Sequence, residues 1–111
     1  MFEITGIKET DIRITRGDSA LLSVELFDDE GAYELKPGDK LELCAKKHVQ
    51  DTHYSIHLYA DDSATFAFAP SDTAKLAFGS YPYDIQLTLA NGDVYTVIPL
   101  SHIIICEEVT K

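Results

Sequence analysis

Three of the four histidines in this chain, His48, His53 and His57, are the first side chains that suggest chemistry, because imidazole is a common metal ligand. On a strand, His53 and His57 would share a face but lie roughly 13 Å apart, too far to share one ion. A loop conformation would be needed to bring them together. No cysteine or carboxylate stands at a ligand-like spacing, so the favoured interpretation is solvated histidines and no metal site.

Other residue types that support catalysis are not arranged for it. The acidic clusters at residues 28–30 and 61–62 lack the alternating acids and distal glutamate of a calcium loop, and are interpreted as polar turns. Cys44 and Cys106 have no adjacent base in the sequence, and no glycine-rich phosphate loop is present. The sequence therefore predicts no catalytic residue, no metal and no cofactor, and we expect that the protein is not an enzyme.

Residues Arg16, Gly17 and Asp18 spell the tripeptide that integrins recognise in some extracellular ligands. The first residues show neither a basic n-region nor an apolar h-region, so no signal peptide is predicted. A short motif needs its context. We therefore interpret the tripeptide as a turn, in which glycine supplies the backbone conformation and aspartate caps it.

The chain is strongly acidic, with 19 acidic and nine basic residues and a formal net charge of −10. Such a charge disfavours nucleic acid and anionic membrane surfaces as partners. No apolar run approaches the roughly 20 residues of a membrane helix. Cys44 and Cys106 are expected to be free thiols in a reducing compartment, with one disulfide as the alternative. We expect synthesis in the cytoplasm.

Residues 80–99 give the strongest structural signal. Tyr83, Ile85 and Leu87 alternate with polar residues, and Asn91 and Gly92 predict a type I′ turn before a returning strand. Short strands about ten residues apart, with turn residues between them, predict one domain over residues 1–111, an all-β immunoglobulin-like antiparallel sandwich. Residues 1–10 are expected to be a flexible arm or a swapped strand. Residues 70–77 predict one or two helical turns capped by Ser71 or Asp72.

Apolar and aromatic positions predict a contact surface. Tyr81 and Tyr95 are placed across the hairpin on the face away from Ile85, and tyrosine is enriched at interfaces, although it is also a good strand former. The apolar run at residues 103–106 predicts a strand covered on both faces. The candidate interaction residues are Tyr81, Tyr95, Val97, Ile104 and Cys106.

Several segments resemble small structural proteins encoded by phages and prophages of Gram-positive bacteria. They are residues 11–19 (DIRITRGDS), the acidic turn with Gly31, and residues 70–74, 79–87, 91–92, 94–99 and 107–110. Taken together, the chain is similar to the N-terminal immunoglobulin-like domain of phage baseplate upper proteins.

The resemblance implies a non-catalytic virion component of the tail or baseplate. Such a protein would associate with itself or with other phage structural proteins, first in the host bacterial cytoplasm and then in the virion. The alternative is a carbohydrate- or cell-surface-binding β-sandwich module, which would need an aromatic platform on an exposed face or in a loop.

Overall fold

The computed structural model describes residues 3–4 and 11–108. Within them the chain forms ten strands and one short helix: β1 (Glu3–Ile4), β2 (Ile12–Thr15), β3 (Ala20–Ser23), β4 (Leu26–Asp28), β5 (Gly31–Tyr33), β6 (Lys40–Ala45), β7 (Ile56–Tyr59), β8 (Thr65–Phe68), α1 (Pro70–Thr73), β9 (Gly79–Thr88) and β10 (Val94–Cys106). The predicted all-β class is confirmed. Most of residues 1–10, predicted as an arm or swapped strand, lies outside the described residues.

The strands form three sheets, of which the largest carries the features discussed below. Its five strands have the order β2-β10-β9-β6-β7. The β2–β10 pair is parallel, and the other pairs are antiparallel. A three-stranded sheet, β1-β4-β5, and a two-stranded sheet, β3-β8, complete the fold. The all-antiparallel prediction is therefore wrong for β2, which runs beside β10 in the same direction.

The core lies against one face of the five-stranded sheet, because alternate side chains of each strand point to it. Leu41, Leu43 and Ala45 of β6 are buried, as are the odd-numbered residues 81–87 of β9. Phe66 and Phe68 of β8 pack in the same core. Burial of each large side chain contributes about 1.5–3 kcal/mol. The intervening residues of β6 and β9 form the opposite face, here called the outer face.

The hairpin predicted at residues 80–99 is confirmed, but its type I′ turn is wrong. The Gly92 amide donates to the Leu89 carbonyl at 2.9 Å, and the Leu89 amide donates to the Asp93 carbonyl at 2.8 Å. Gly92 has φ +96°, whereas Asn91 does not have the positive φ that a type I′ turn requires. This pattern is a three-residue loop that ends in a glycine bulge.

The return strand is longer and less regular than predicted. The strands expected at residues 94–99 and 102–109 are one 13-residue strand, β10. Its register against β9 shifts between Thr96 and Ile98 and again between Ile98 and Ser101. Pro99 lies within the irregular part, and since proline has no amide proton it is confined to such positions in a sheet.

The predicted helical segment is shorter than expected. Helix α1 has Pro70 at its first turn and Ala69 as its N-cap, so the prediction that Ser71 or Asp72 caps it is wrong. The Asp72 carboxylate instead accepts a hydrogen bond from the Ala69 amide at 2.7 Å. Residues 74–78 connect the helix to Gly79, where β9 begins.

Candidate functional site

The predicted contact residues of the hairpin do not lie on its outer face. Tyr81 is 5% exposed and Val97 is 7% exposed, and Tyr95 packs against the core opposite the buried Leu87. Tyr81 is four residues from Ile85, so the two share a face on a strand. Val97 faces inward by alternation with Tyr95, because the three-residue loop places Tyr95 rather than Thr96 opposite Leu87. The predicted placement of Tyr81, Tyr95 and Val97 is therefore wrong.

Ile104 and Cys106 are placed as predicted, on the face of β10 opposite Ile103 and Ile105. Both are half-buried. Ile104 pairs with Arg13 of β2 on one side and with Ser80 of β9 on the other. The role of these two residues in contacts remains a prediction.

The outer face brings together three side chains with different donor chemistry. Glu42 and Cys44 lie two residues apart on β6, so both point to this face, and His57 of β7 is directly opposite Cys44. One carboxylate oxygen of Glu42, the Cys44 sulfur and a ring nitrogen of His57 all lie within 4.8 Å of one another. The His57 Nε2 atom contacts the Glu42 Oε2 atom. These residues are called the Glu-Cys-His cluster below.

Two tyrosines flank the histidine of this cluster. The rings of Tyr54 and Tyr59 lie 4.8 Å and 5.2 Å from the His57 ring, measured between centroids, at interplanar angles of 50° and 45°. The Lys46 ammonium nitrogen lies 5.4 Å from the centroid of the Tyr54 ring. The imidazole is therefore in contact with two aromatic rings.

An open groove runs beside the cluster towards β9 and β10. It encloses about 260 Å³ and is lined by Glu42, Cys44, Lys46, Val49, Tyr54, Pro82, Tyr83, Asp84, Gln86 and Leu100. Burial raises the pKa of the Asp84 carboxyl, and the positive charge of Lys46 opposes that rise. The groove therefore combines charged groups with exposed apolar side chains.

The Cys44 thiol is not an activated nucleophile. Its pKa is raised to about 11, first by burial and then by the negative charge of Glu42. A nucleophilic cysteine needs a lowered pKa, because the thiolate is the reactive form. A metal-bound cysteine is also a thiolate, so ligation at this cluster would require the ion to displace the thiol proton.

Sequence reasoning missed the Glu-Cys-His cluster because its members meet across two strands. His57 was grouped with His48 and His53, and neither belongs to a metal-ligating group in the described part of the chain. The alternation of residues 40–45 places Glu42 and Cys44 on one face. The missing information is the β6–β7 register, since a shift of one residue would move His57 to the other face.

The Arg16-Gly17-Asp18 tripeptide is a structural turn. The Arg16 guanidinium donates two hydrogen bonds to the Glu108 carboxylate, at 3.0 Å and 3.2 Å, and one to the Leu76 carbonyl at 3.4 Å. Its central carbon also lies 4.2 Å from the centroid of the Phe78 ring. We call these residues the Arg16 network. Its internal contacts support the turn interpretation over an integrin ligand.

The acidic clusters also have turn roles. Asp28 Oδ1 accepts a hydrogen bond from the Glu30 amide at 2.8 Å. Asp61 Oδ1 accepts from the amides of Ser63 and Thr65 at 2.9 Å and 3.1 Å. These bonds fix the β4–β5 turn and the turn before β8, as the sequence predicts.

No protein-family model and no curated protein matches this chain. None of the helices within residues 3–4 and 11–108 combines the length and apolar character needed to cross a membrane. What the fold and the site define is an all-β protein whose largest sheet presents a polar and aromatic outer face.

Proposed function

We propose that the protein is a non-catalytic structural protein of a phage or prophage virion, a tail or baseplate assembly module with an immunoglobulin-like sandwich. It acts through protein–protein contacts with its own copies or with other phage structural proteins, and binds neither nucleic acid nor membrane. It is made in the host bacterial cytoplasm and then enters the virion. The groove on the outer face, with its exposed apolar rim, is the observation that carries the proposal of protein contacts.

The rim of this groove has the composition of a protein interface. Leu100 is 56% exposed, Val49 is 57% exposed, and Tyr54 is also exposed. Large apolar side chains gathered at one groove favour a partner surface, whereas scattered ones need no explanation. Tyrosine in particular is enriched where proteins meet. The genomic setting rests on the resemblance of the turn and strand segments to phage structural proteins.

Self-association is tested by light scattering during size exclusion at high micromolar concentration. We expect the wild-type protein to associate, and Leu100→Asp at the groove to weaken the association. Leu21→Asp is the matched control, because Leu21 is 76% exposed on β3, outside the five-stranded sheet. If the two variants weakened self-association equally, the groove would not be part of the contact surface. A strictly monomeric wild type would leave only contacts with other virion proteins.

The virion assignment has its own test. Mass spectrometry of particles purified from an induced lysogen that carries the gene should detect the protein at a fixed ratio to known tail proteins. Its absence from particles that contain intact tails would overturn the assignment.

A carbohydrate-binding module is the second candidate, favoured by the exposed aromatic group Tyr54, His57 and Tyr59. Sugars stack on aromatic faces, but these rings are tilted against one another by 45–50° rather than forming a flat platform. Glycan-array binding by a monomer, lost in Tyr59→Ala, would favour this candidate over the first.

A further inference from the structure

We infer that Glu42, Cys44 and His57 bind one divalent transition-metal ion of the zinc type on the outer face, between β6 and β7. The inference does not depend on the proposed assembly function, because it follows from the positions and the chemistry of three side chains.

The distances fit a zinc site after small side-chain movements. Zinc is bound at about 2.3 Å by sulfur and about 2.0–2.2 Å by nitrogen or oxygen, so tetrahedral donors lie roughly 3.4–3.6 Å apart. The three donor atoms already lie within 4.8 Å of one another. Donor atoms at that separation need to move by only about 1 Å to reach the tetrahedral spacing.

The sheet holds the three residues in position. Strand β6 pairs with β7 on one side and β9 on the other, so the backbone of Glu42 and Cys44 is fixed by two ladders. His57 is attached to the same frame by its pairing with Cys44 and is flanked by Tyr54 and Tyr59. Such prior ordering lowers the entropic cost of binding an ion.

The donor set selects the kind of ion. A thiolate and an imidazole suit zinc and its neighbours, whereas calcium and magnesium take oxygen ligands. Three protein ligands leave a fourth tetrahedral position, which solvent fills in sites of this type.

The competing explanation is an ordinary surface hydrogen bond between His57 and Glu42. His57 and Glu42 contact each other without a metal, and Cys44 is then only a half-buried neighbour. The two explanations differ in the sulfur, since only a metal site makes Cys44 a ligand. The decisive measurement must therefore report on a bond to that sulfur.

Cobalt(II) is the probe, because a cobalt–thiolate bond gives a near-ultraviolet charge-transfer absorption. We expect the reduced protein to bind one equivalent of Co²⁺ with this absorption, and Zn²⁺ to displace it. Cys44→Ser should abolish the absorption, and His57→Gln should weaken Zn²⁺ binding at least about 100-fold, the upper range for outer-shell changes. Cys106→Ser and His53→Gln are the matched controls and should behave as wild type.

A second readout uses thermal unfolding, since an ion that binds only the folded state raises the melting temperature. Zn²⁺ should raise the melting temperature of the wild type and of the two controls, but not that of Cys44→Ser or His57→Gln. The absence of a cobalt–thiolate absorption in the wild-type protein would overturn the inference, whether or not a variant folds. An absorption that persists in Cys44→Ser and disappears in Cys106→Ser would also overturn it.

Discussion

The Arg16 network and the Glu-Cys-His cluster each join an acid to a base, but they use them differently. In the first, a bidentate fork joins Arg16 to both carboxylate oxygens of Glu108, 92 residues away, and further contacts hold the guanidinium. In the second, one oxygen of Glu42 contacts one nitrogen of His57, and a thiol lies beside them. The first arrangement is a structural clamp, and the second has the donor chemistry of a binding site.

The comparison shows that a match to a functional motif and the chemistry of a binding site occur in different parts of this protein. The Arg16 tripeptide matches a recognition motif, yet its arginine ties the end of β10 to the segment between α1 and β9. The Glu-Cys-His cluster matches no motif, because the pairing of β6 with β7, and not a fixed spacing in the sequence, brings its residues together. A motif search of this chain therefore points to the wrong place.

The largest effect on stability is expected at the Arg16 network. Arg16→Ala leaves the half-buried Glu108 carboxylate without its bidentate partner and removes the contact with Phe78, so it should destabilise the protein by about 2–3 kcal/mol. Chemical denaturation measures the change. Arg13→Ala on β2, the strand that precedes Arg16, is the control, because Arg13 is exposed, and it should cost less than about 0.5 kcal/mol. Equal losses of stability in the two variants would show that the Arg16 network is not a structural clamp.

Asp39 is a second structural carboxylate, and it connects two loops. Its oxygens accept hydrogen bonds from the amides of Lys36 and Ala90, at 3.0 Å and 3.1 Å, and from the Tyr33 hydroxyl. Burial opposes ionisation of Asp39, but these hydrogen bonds outweigh burial and lower its pKa. The hydrogen bond to Asp39 is also the main reason that the pKa of Tyr33 is raised to about 12.

Asp39→Asn should therefore cost about 1–2 kcal/mol at neutral pH. Because the folded-state pKa of Asp39 lies below its ordinary value of 3.8, this stabilisation is present above that value and is lost as pH falls through the folded-state pKa. The gap between wild type and variant should narrow in acid, and denaturation at several pH values measures it. Asp62→Asn, at an exposed turn, is the control. A gap that widens in acid would contradict the assignment.

The hairpin loop next to Asp39 gives an effect of similar size and of the same structural kind. Gly92→Val should cost about 1–2 kcal/mol, because a β-branched residue is strained at φ +96° although nothing lies within 4 Å of the added Cβ. Asn91→Asp is the control, since it keeps the acceptor for the Asp93 amide. Thermal unfolding compares the two variants. An unchanged melting temperature in Gly92→Val would contradict the left-handed conformation assigned to Gly92.

Much of the fold was predictable from local patterns. Alternation in residues 41–45 and 83–87 identified the buried face, and turn residues located the connections. The predictions failed where one residue changes the face or the pairing. The three-residue loop with its bulge at Gly92 replaced a two-residue turn, and this one-residue change turned Tyr95 and Val97 towards the core.

The candidate site was predictable only in part. The alternation of apolar residues over 41–45 is sufficient to place Cys44 on the face opposite the buried Leu41 and Leu43. It did not place His57 opposite Cys44, because the ten-residue connection between β6 and β7 leaves the register open. Tertiary packing determines which residues pair across strands, and this pairing could not be predicted from the single sequence.

The smallest effect on stability is expected in the Glu-Cys-His cluster. A substitution there should instead change the reactivity of the Cys44 thiol. Glu42→Gln should alter the free energy of unfolding by less than about 0.5 kcal/mol, since the pair with His57 is partly exposed. It should also lower the pKa of Cys44, because the Glu42 charge is the second cause of its elevation after burial. A larger thiolate fraction makes alkylation faster at a given pH.

Iodoacetamide labelling followed by peptide mapping separates Cys44 from Cys106, which serves as the internal reference in the same sample. We expect faster labelling of Cys44 in Glu42→Gln at pH 8–9, and no change in Glu34→Gln, whose carboxylate is exposed on another part of the chain. Labelling should stay slow in absolute terms, because burial of Cys44 remains. If its rate did not respond to the Glu42 charge, the carboxylate and the thiol would not be neighbours, and the contrast with the Arg16 network would lose its basis.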